Sequence, residues 1–162
     1  MKPYELVIDE DACWGCRTCE AACMQEFNLD GTVQFITVGE TASETADGRP
    51  QFTFQVNLCR HCDEPPCVNA CPEAAIVQRE DGIVVLSEEL CSGCQACMDE
   101  CPYEAIVFDA EQSVARKCNL CHHRVDHGLM PACADNVCLA HCIYFGSPEA
   151  VKVQRRRRQG LA

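Results

Sequence analysis

The sequence predicts a small α+β protein: two modules, each built of short helices and small antiparallel hairpins around closely spaced cysteines, plus one longer inserted β-hairpin. Three observations carry this. Cysteine accounts for 17 of the 162 residues, above the share at which a cysteine-held scaffold must be considered. Aromatic residues are only 6%, too few for a large conventional core, so a chain of this kind needs covalent or metal staples. The third is an internal repeat at a spacing of 30 residues: Cys71-Pro72-Glu73-Ala74-Ala75-Ile76-Val77 recurs as Cys101-Pro102-Tyr103-Glu104-Ala105-Ile106-Val107.

The staples could be disulfides or metal. Met1 leads into Lys2-Pro3-Tyr4-Glu5 without the charged and apolar regions of a signal peptide, and no apolar run reaches the 18 residues that would suggest a membrane span. The expectation is a cytoplasmic protein away from membranes, whose thiols stay reduced and hold metal. The cysteine spacing says which metal. Cys91, Cys94, Cys97 and Cys101-Pro102 read C-x2-C-x2-C-x3-C-P, the bacterial ferredoxin signature of a cubane [4Fe–4S] cluster, in which three thiolates come from one loop and the fourth cysteine ligates the neighbouring cube. Cys59, Cys62, Cys67 and Cys71-Pro72 follow the same plan with two extra residues before the third cysteine. Two such sets in tandem cross-ligate two clusters. Cys13, Cys16, Cys19 and Cys23 form a further set, with Met24 where the proline would stand. Cys118, Cys121 and Cys133 open a last one as C-x2-C-x11-C, followed by Cys138 and Cys142.

The elements follow in order. Residues 5–9 alternate and are β-branched in the middle, a short strand. Residues 19–27, with Glu20, Ala21, Ala22, Met24 and Gln25, read as helix. Trp14, inside the first loop, reads as an apolar lid over its cluster, with a role of its ring in electron transfer as the alternative. Residues 32–38 and 51–56 alternate around a polar run containing Asp47-Gly48, a β-hairpin. It either covers the cluster modules or offers a docking edge; both stay open. Each Cys-Pro should stop a loop and start a short helical turn, and each Ala-Ile-Val should enter a strand. Residues 76–79 and 83–86 flank Asp81-Gly82 as a second hairpin. Small alanines let the backbone approach a cluster and donate N–H groups to sulfur.

His122, His123 and His127 lie inside the eleven-residue insert, with Gly128 and Pro131 marking a turn before Cys133. A zinc site of Cys118, Cys121 and histidine is therefore weighed, but cysteines suffice without them, and the histidines read as surface or supporting groups. The formal charge is −12; Lys152 and Arg155 to Arg158 stand at the C-terminal end with no acid among residues 151–162, and the rest of the chain carries eight Lys and Arg against 25 Asp and Glu, a net of −17. An acidic body argues against a nucleic-acid partner. The arginine run either contacts an acidic partner or is solvated.

Cys59-Arg60-His61-Cys62-Asp63-Glu64-Pro65-Pro66-Cys67-Val68-Asn69-Ala70-Cys71-Pro72 resembles the second motif of the four-cluster iron–sulfur subunits of molybdenum and tungsten enzymes, the dimethyl sulfoxide reductase family. Lys117-Cys118-Asn119-Leu120-Cys121, Gly128 and Pro131-Ala132-Cys133 resemble their fourth. In size the chain looks more like the small polyferredoxin subunit of tungsten aldehyde oxidoreductases or its counterpart in tungsten benzoyl-CoA reductases. The resemblance implies four [4Fe–4S] clusters: Cys13, Cys16, Cys19 and Cys138; Cys118, Cys121, Cys133 and Cys23; Cys59, Cys62, Cys67 and Cys101; Cys91, Cys94, Cys97 and Cys71. It implies an outer ferredoxin module from residues 1–30 and 110–150, an inner one from 58–109, the hairpin at 31–57 between them, and a basic tail at 151–162. Two departures stand out. Four residues separate Cys133 from Cys138 where the family usually has three, and Leu139 replaces the usual proline.

Four clusters need sixteen of the seventeen cysteines, and the repeat picks the spare. Four residues after Cys71 and Cys101 stand Ala75-Ile76 and Ala105-Ile106; four after Cys138 stand Cys142-Ile143. Cys142 thus takes the small packed alanine position, and Cys138 the ligand position. No phosphate loop or hydrolase triad is evident. The expected function is a non-catalytic electron-transfer subunit beside a large tungsten- or molybdenum-cofactor subunit, with a flavin subunit or external ferredoxin as the other redox partner. The rivals are a free-standing polyferredoxin shuttle and a zinc-stapled binding module.

Overall fold

The computed structural model describes residues 3–158 and 160. Met1 and Lys2, and residues 159, 161 and 162 of the expected tail, lie outside the described residues. The fold is a small α+β arrangement of four two-stranded antiparallel sheets and short helices.

Strand β1, Glu5–Ile8, opens the chain. A 3-10 turn at Glu10–Ala12 leads to the first cysteine loop and helix α1, Thr18–Phe27. Strands β2, Ile36–Glu44, and β3, Pro50–Leu58, form the long hairpin, in register from Ile36↔Leu58 to Glu44↔Pro50. Its tip is closed by Thr45 and Arg49, with Gly48 left-handed at φ +75°. The hairpin begins later and reaches further than the alternation of residues 32–38 predicts. The carboxylate of Asp30 accepts the backbone N–H (2.9 Å) and hydroxyl (2.7 Å) of Thr32. That Asx turn bends the chain, and Val33 and Phe35 enter the core from non-strand backbone.

Two buried or half-buried carboxylates fasten the hairpin. Glu20 of α1 accepts the Val38 N–H at 2.5 Å, and Glu10 accepts the Val56 N–H at 3.0 Å. Each satisfies a strand amide that the two-stranded ladder leaves open.

The repeat comes next. Helix α2, Pro66–Ala70, precedes β4, Ile76–Gln78, and β5, Val84–Leu86; helix α3, Ala96–Asp99, precedes β6, Ile106–Asp109, and β7, Val114–Lys117. The helical turns therefore lie before Cys71-Pro72 and Cys101-Pro102, correcting the expectation of helix after each proline. Each proline instead leads into a non-helical turn through a left-handed residue, Ala74 (φ +50°) or Glu104 (φ +49°). β6 pairs with β7 from Ile106↔Lys117 to Asp109↔Val114, so one hairpin straddles the boundary expected between residues 109 and 110.

Helix α4, His122–Val125, ends in a reversal where the N–H groups of Gly128 and Leu129 return to Val125 and Arg124. Strand β8, Ile143–Gly146, pairs with β1 from Glu5↔Gly146 to Ile8↔Ile143, joining the two ends of the chain. The basic run is helical as far as Arg158: α5, Pro148–Arg158, buries Val151, and the Gln154 side chain donates to the Phe145 carbonyl at 3.1 Å. Cations at its C-terminal end suit the helix dipole.

Two apolar clusters form the core. One holds Cys19, Cys23, Cys118, Cys133, Cys138 and Cys142 with the hairpin base; the other holds Cys67 and Cys97 with Ile76, Val84, Ile106 and Ala115. Most of the cysteine sets are thus interior to the fold. Cys16 and Cys94 are the exposed ones.

Candidate metal centres

The four cysteine loops share one backbone device. The residue just before the second cysteine of each set is left-handed: Gly15 (φ +64°), His61 (+46°), Gly93 (+72°) and Leu120 (+56°). In two of the loops this conformation turns the N–H of that residue toward the first thiol. Gly15 and Leu120 donate to Cys13 Sγ (3.5 Å) and Cys118 Sγ (3.4 Å). Such concave rows of amides favour anions.

A second device marks the leaving cysteine of three of the sets, the fourth, Cys23, lying within α1. Three residues after Cys71, Cys101 and Cys138 the backbone is left-handed, at Ala74, Glu104 and His141 (φ +50°). Each of those residues donates back to the cysteine carbonyl, at 3.3, 3.1 and 2.9 Å. The next N–H, from Ala75, Ala105 or Cys142, donates to the thiol at 3.3, 3.4 and 3.4 Å. Cys142 therefore stands where the repeat has alanine, fully buried at 2% exposure, its Sγ 3.5 Å from that of Cys138. Its thiol is pushed up, first by burial and then by Cys138 and Cys13.

The inner cysteines gather in two groups of four. Cys59, Cys62, Cys67 and Cys101 line one small pocket together with Val84 and Ile106. Cys71, Cys91, Cys94 and Cys97 line another with Ala75, Ile76 and Ala115. The Ala115 amide donates to Cys91 Sγ at 3.4 Å, a donor that spacing alone did not flag because it comes from β7. In both groups the fourth cysteine comes from the other loop.

The outer cysteines crowd together in the core. Burial raises the Cys19 thiol to about 11, with Cys138 and Cys13 adding to the effect. Burial also raises Cys23, with Cys118 and Cys121 beside it, and Cys133, with Cys118, Cys121 and Cys23 beside it. The Cys16 thiol is lowered by the Thr18 hydroxyl, 3.3 Å away, and Leu139 contributes its backbone. The groups adjoin one another. Cys19 influences Cys133, Cys59 influences Cys118, and Cys67 influences Cys97.

Burying thiolates is costly unless cations share the site. A cubane would meet that demand: its irons would take the thiolates as ligands, and the amides that donate to cysteine sulfur would offset the remaining charge. A mononuclear zinc site would instead need its donors about 2.3 Å from one point. The histidines of the insert have other partners. His123 lies 2.8 Å from Glu26, His127 lies 2.8 Å from the His123 carbonyl, and His122 is 3.7 Å from Asp126.

Trp14 is 62% exposed, so it does not form the lid expected of it. The Phe54 ring of β3 lies against Gly15, so closely that a Cβ there would strike it. Nothing in the first loop points to Phe54, which is 39 positions away in sequence.

Residues 50–148 match a family model described as a 4Fe-4S dicluster domain, and residues 12–76 match a second with the same description. Among relatives, the chain is 36% identical to a polypeptide of the anaerobic dimethyl sulfoxide reductase of Haemophilus influenzae, across 100% of this chain and 82% of that one. It is 37% identical to a protein of Halobacterium salinarum named for the iron–sulfur subunit of a dimethyl sulfoxide reductase (90% and 66%). It is 40% identical to a subunit of the tetrathionate reductase of Salmonella typhimurium (82% and 54%). The chain thus spans about half of the tetrathionate reductase subunit and about two thirds of the Halobacterium protein. It belongs to the 4Fe-4S dicluster family, within the iron–sulfur subunits of the dimethyl sulfoxide reductase type, and two dicluster domains account for four [4Fe–4S] clusters.

Proposed function

We propose that this chain is the electron-transfer subunit of a larger oxidoreductase, with four cysteine groups arranged in series. The observation that carries the reading is the unbroken adjacency of the groups. Cys13, Cys16, Cys19 and Cys138 would hold the first cluster. Cys118, Cys121, Cys133 and Cys23 would hold the second, Cys59, Cys62, Cys67 and Cys101 the third, and Cys91, Cys94, Cys97 and Cys71 the fourth. The proximity of Cys19 to Cys133, Cys59 to Cys118, and Cys67 to Cys97 supports this order. So does the surface, because the two exposed cysteines, Cys16 and Cys94, fall in the two terminal groups.

When bound, a cubane accepts and releases one electron, at a potential set by burial, amide hydrogen bonds and nearby charge. The chain supplies those settings. Ala75, Ala105, Ala115, Leu120 and Gly15 give amides to sulfur, and Phe54 shields the first loop. The outer module is then residues 3–30 with the stretch after β7, and the inner module runs from residue 58 through the repeat to the end of β7.

The partners we assign are a large catalytic subunit carrying a tungsten or molybdenum cofactor and, at the other end, a flavin subunit or an external ferredoxin, all in the cytoplasm. The named relatives support the first assignment, since they belong to reductases. No helix among the described residues is long and apolar enough to cross a membrane. The test is metal analysis and gel filtration of anaerobically purified native protein. Sixteen irons per chain and elution in a larger complex are expected. A colourless zinc protein would overturn the cluster assignment, and a lone brown species of about 17.9 kDa would make the chain a shuttle.

A further inference from the structure

Lys117 is 5% exposed, and lysine is almost never buried to that degree without a counter-charge. It closes β7 and directly precedes Cys118. Its Nζ donates to the carbonyl of Val84 at 2.5 Å and to that of Cys118 at 2.6 Å. Val84 lines the cavity of Cys59, Cys62, Cys67 and Cys101. Its own N–H donates to Nδ1 of His61 at 3.0 Å, so this residue is held on both sides. Two carbonyls therefore fix the ammonium between the third cysteine group and the first cysteine of the second. Among the described residues no carboxylate lies within ion-pair distance of it. The groups around it are the cysteines: it directly precedes Cys118, and Val84, whose carbonyl it holds, lines the site of Cys59, Cys62, Cys67 and Cys101.

We infer that Lys117 is a positioning residue for the electron-transfer reaction, a buried cation shared by the two central cysteine groups that raises the reduction potential of the clusters they hold. The inference rests on the cluster assignment proposed above. Adding an electron to a cluster adds a negative charge. In the middle of the series that charge would be buried, far from water and flanked by other anionic centres. Such a site is the most costly in the molecule to reduce, because Coulomb repulsion grows as the effective dielectric falls. A fixed cation there offsets the repulsion and is little screened by salt. It keeps the centre of the series from becoming a barrier between two exposed, solvent-stabilised ends.

Two neutral variants of the full chain test this, Lys117→Gln, which keeps a donor for the carbonyls, and Lys117→Met, with Lys117→Arg as the charge-retaining control. Each is purified anaerobically, its iron counted and its clusters titrated by paramagnetic resonance. In both neutral variants we expect sixteen irons and a fall of at least tenfold in the reduced-to-oxidised ratio of the central pair at fixed potential, about 59 mV for a one-electron couple. The terminal pair should move less, and the arginine variant should stay near wild type. Unchanged central potentials, or equal shifts in all four clusters, overturn the inference. Loss of iron from both neutral variants makes Lys117 a structural clamp and overturns it too. Absence of iron from the wild-type chain would instead defeat the cluster assignment, and the iron count reports that separately.

Discussion

At the scale of single residues, the choice between Cys138 and Cys142 is the sharpest. Their thiols are 3.5 Å apart and both are buried, so burial does not separate them. Backbone conformation does. His141 copies Ala74 and Glu104 in its left-handed φ and its return bond to the preceding carbonyl. We predict that Cys142→Ala retains sixteen irons, since alanine is what the repeat places there, while Cys138→Ala loses or damages the cluster assigned to Cys13, Cys16 and Cys19. Iron counting and low-temperature paramagnetic resonance on the two variants decide it; the reverse pattern would mean that Cys142 is the ligand. Gly93 and Gly15 make a second contrast. Both are left-handed, which costs about 1–2 kcal/mol for a residue with a Cβ. At Gly93 a Cβ would also run into the Ser113 backbone carbonyl, whereas at Gly15 its nearest contacts would be atoms of the Phe54 side chain rather than backbone. Gly93→Ala should therefore strip the cluster assigned to Cys91, Cys94, Cys97 and Cys71, and Gly15→Ala should loosen its loop without emptying it. Equal iron loss in the two variants would contradict this.

At the scale of elements, the sequence was legible where a local rule decided the outcome. Alternation and Asp-Gly turns placed β1 and the β4–β5 hairpin within a residue or so, because their side chains are sorted by one buried face. It was least legible where distant groups intervene. Asp30 delays β2 by capturing Thr32, and Phe54 crosses from the hairpin to shield a loop in which Trp14 was the visible aromatic. The arginine run reads as a tail, since its charge says nothing of the Val151 and Gln154 contacts that hold α5 to β8. The left-handed positions before the second cysteines were half legible: glycine signals two of them, but His61 and Leu120 give no such sign. The hairpin's attachment yields a further prediction. Glu20 is buried, and its bond to the Val38 amide ties α1 to β2. A hydrogen bond to a charged group is worth about 1.5–3 kcal/mol. Glu20→Ala should lower anaerobic unfolding stability by about that much and speed exchange of the Val38 amide, while amides of the β6–β7 hairpin stay protected.

At the scale of the whole molecule, the question is whether the four groups act as one line or as separate sites. The cysteine spacing gave the sets, and only three-dimensional placement orders them, because Cys59 packs against the apolar cluster that holds Cys118, 59 positions away in sequence. Cys118 is the contact of the outer groups with the inner ones, and it is buried, so no external donor reaches it directly. Cys16 and Cys94 are exposed at the two ends. An interior break should therefore differ in kind from a terminal one. Cys118→Ala, which removes a ligand assigned to the second group, should leave the inner pair reducible by a donor that docks beside Cys94, yet stop those electrons from reaching the group of Cys16. Cys16→Ala should leave the three remaining groups in communication and abolish exchange only at its own end. The measurement is rapid-freeze paramagnetic resonance after mixing each anaerobic variant with a reduced ferredoxin. If the Cys118→Ala chain still reduces its outermost cluster at the wild-type rate, the series arrangement is wrong and the groups exchange electrons with the donor independently.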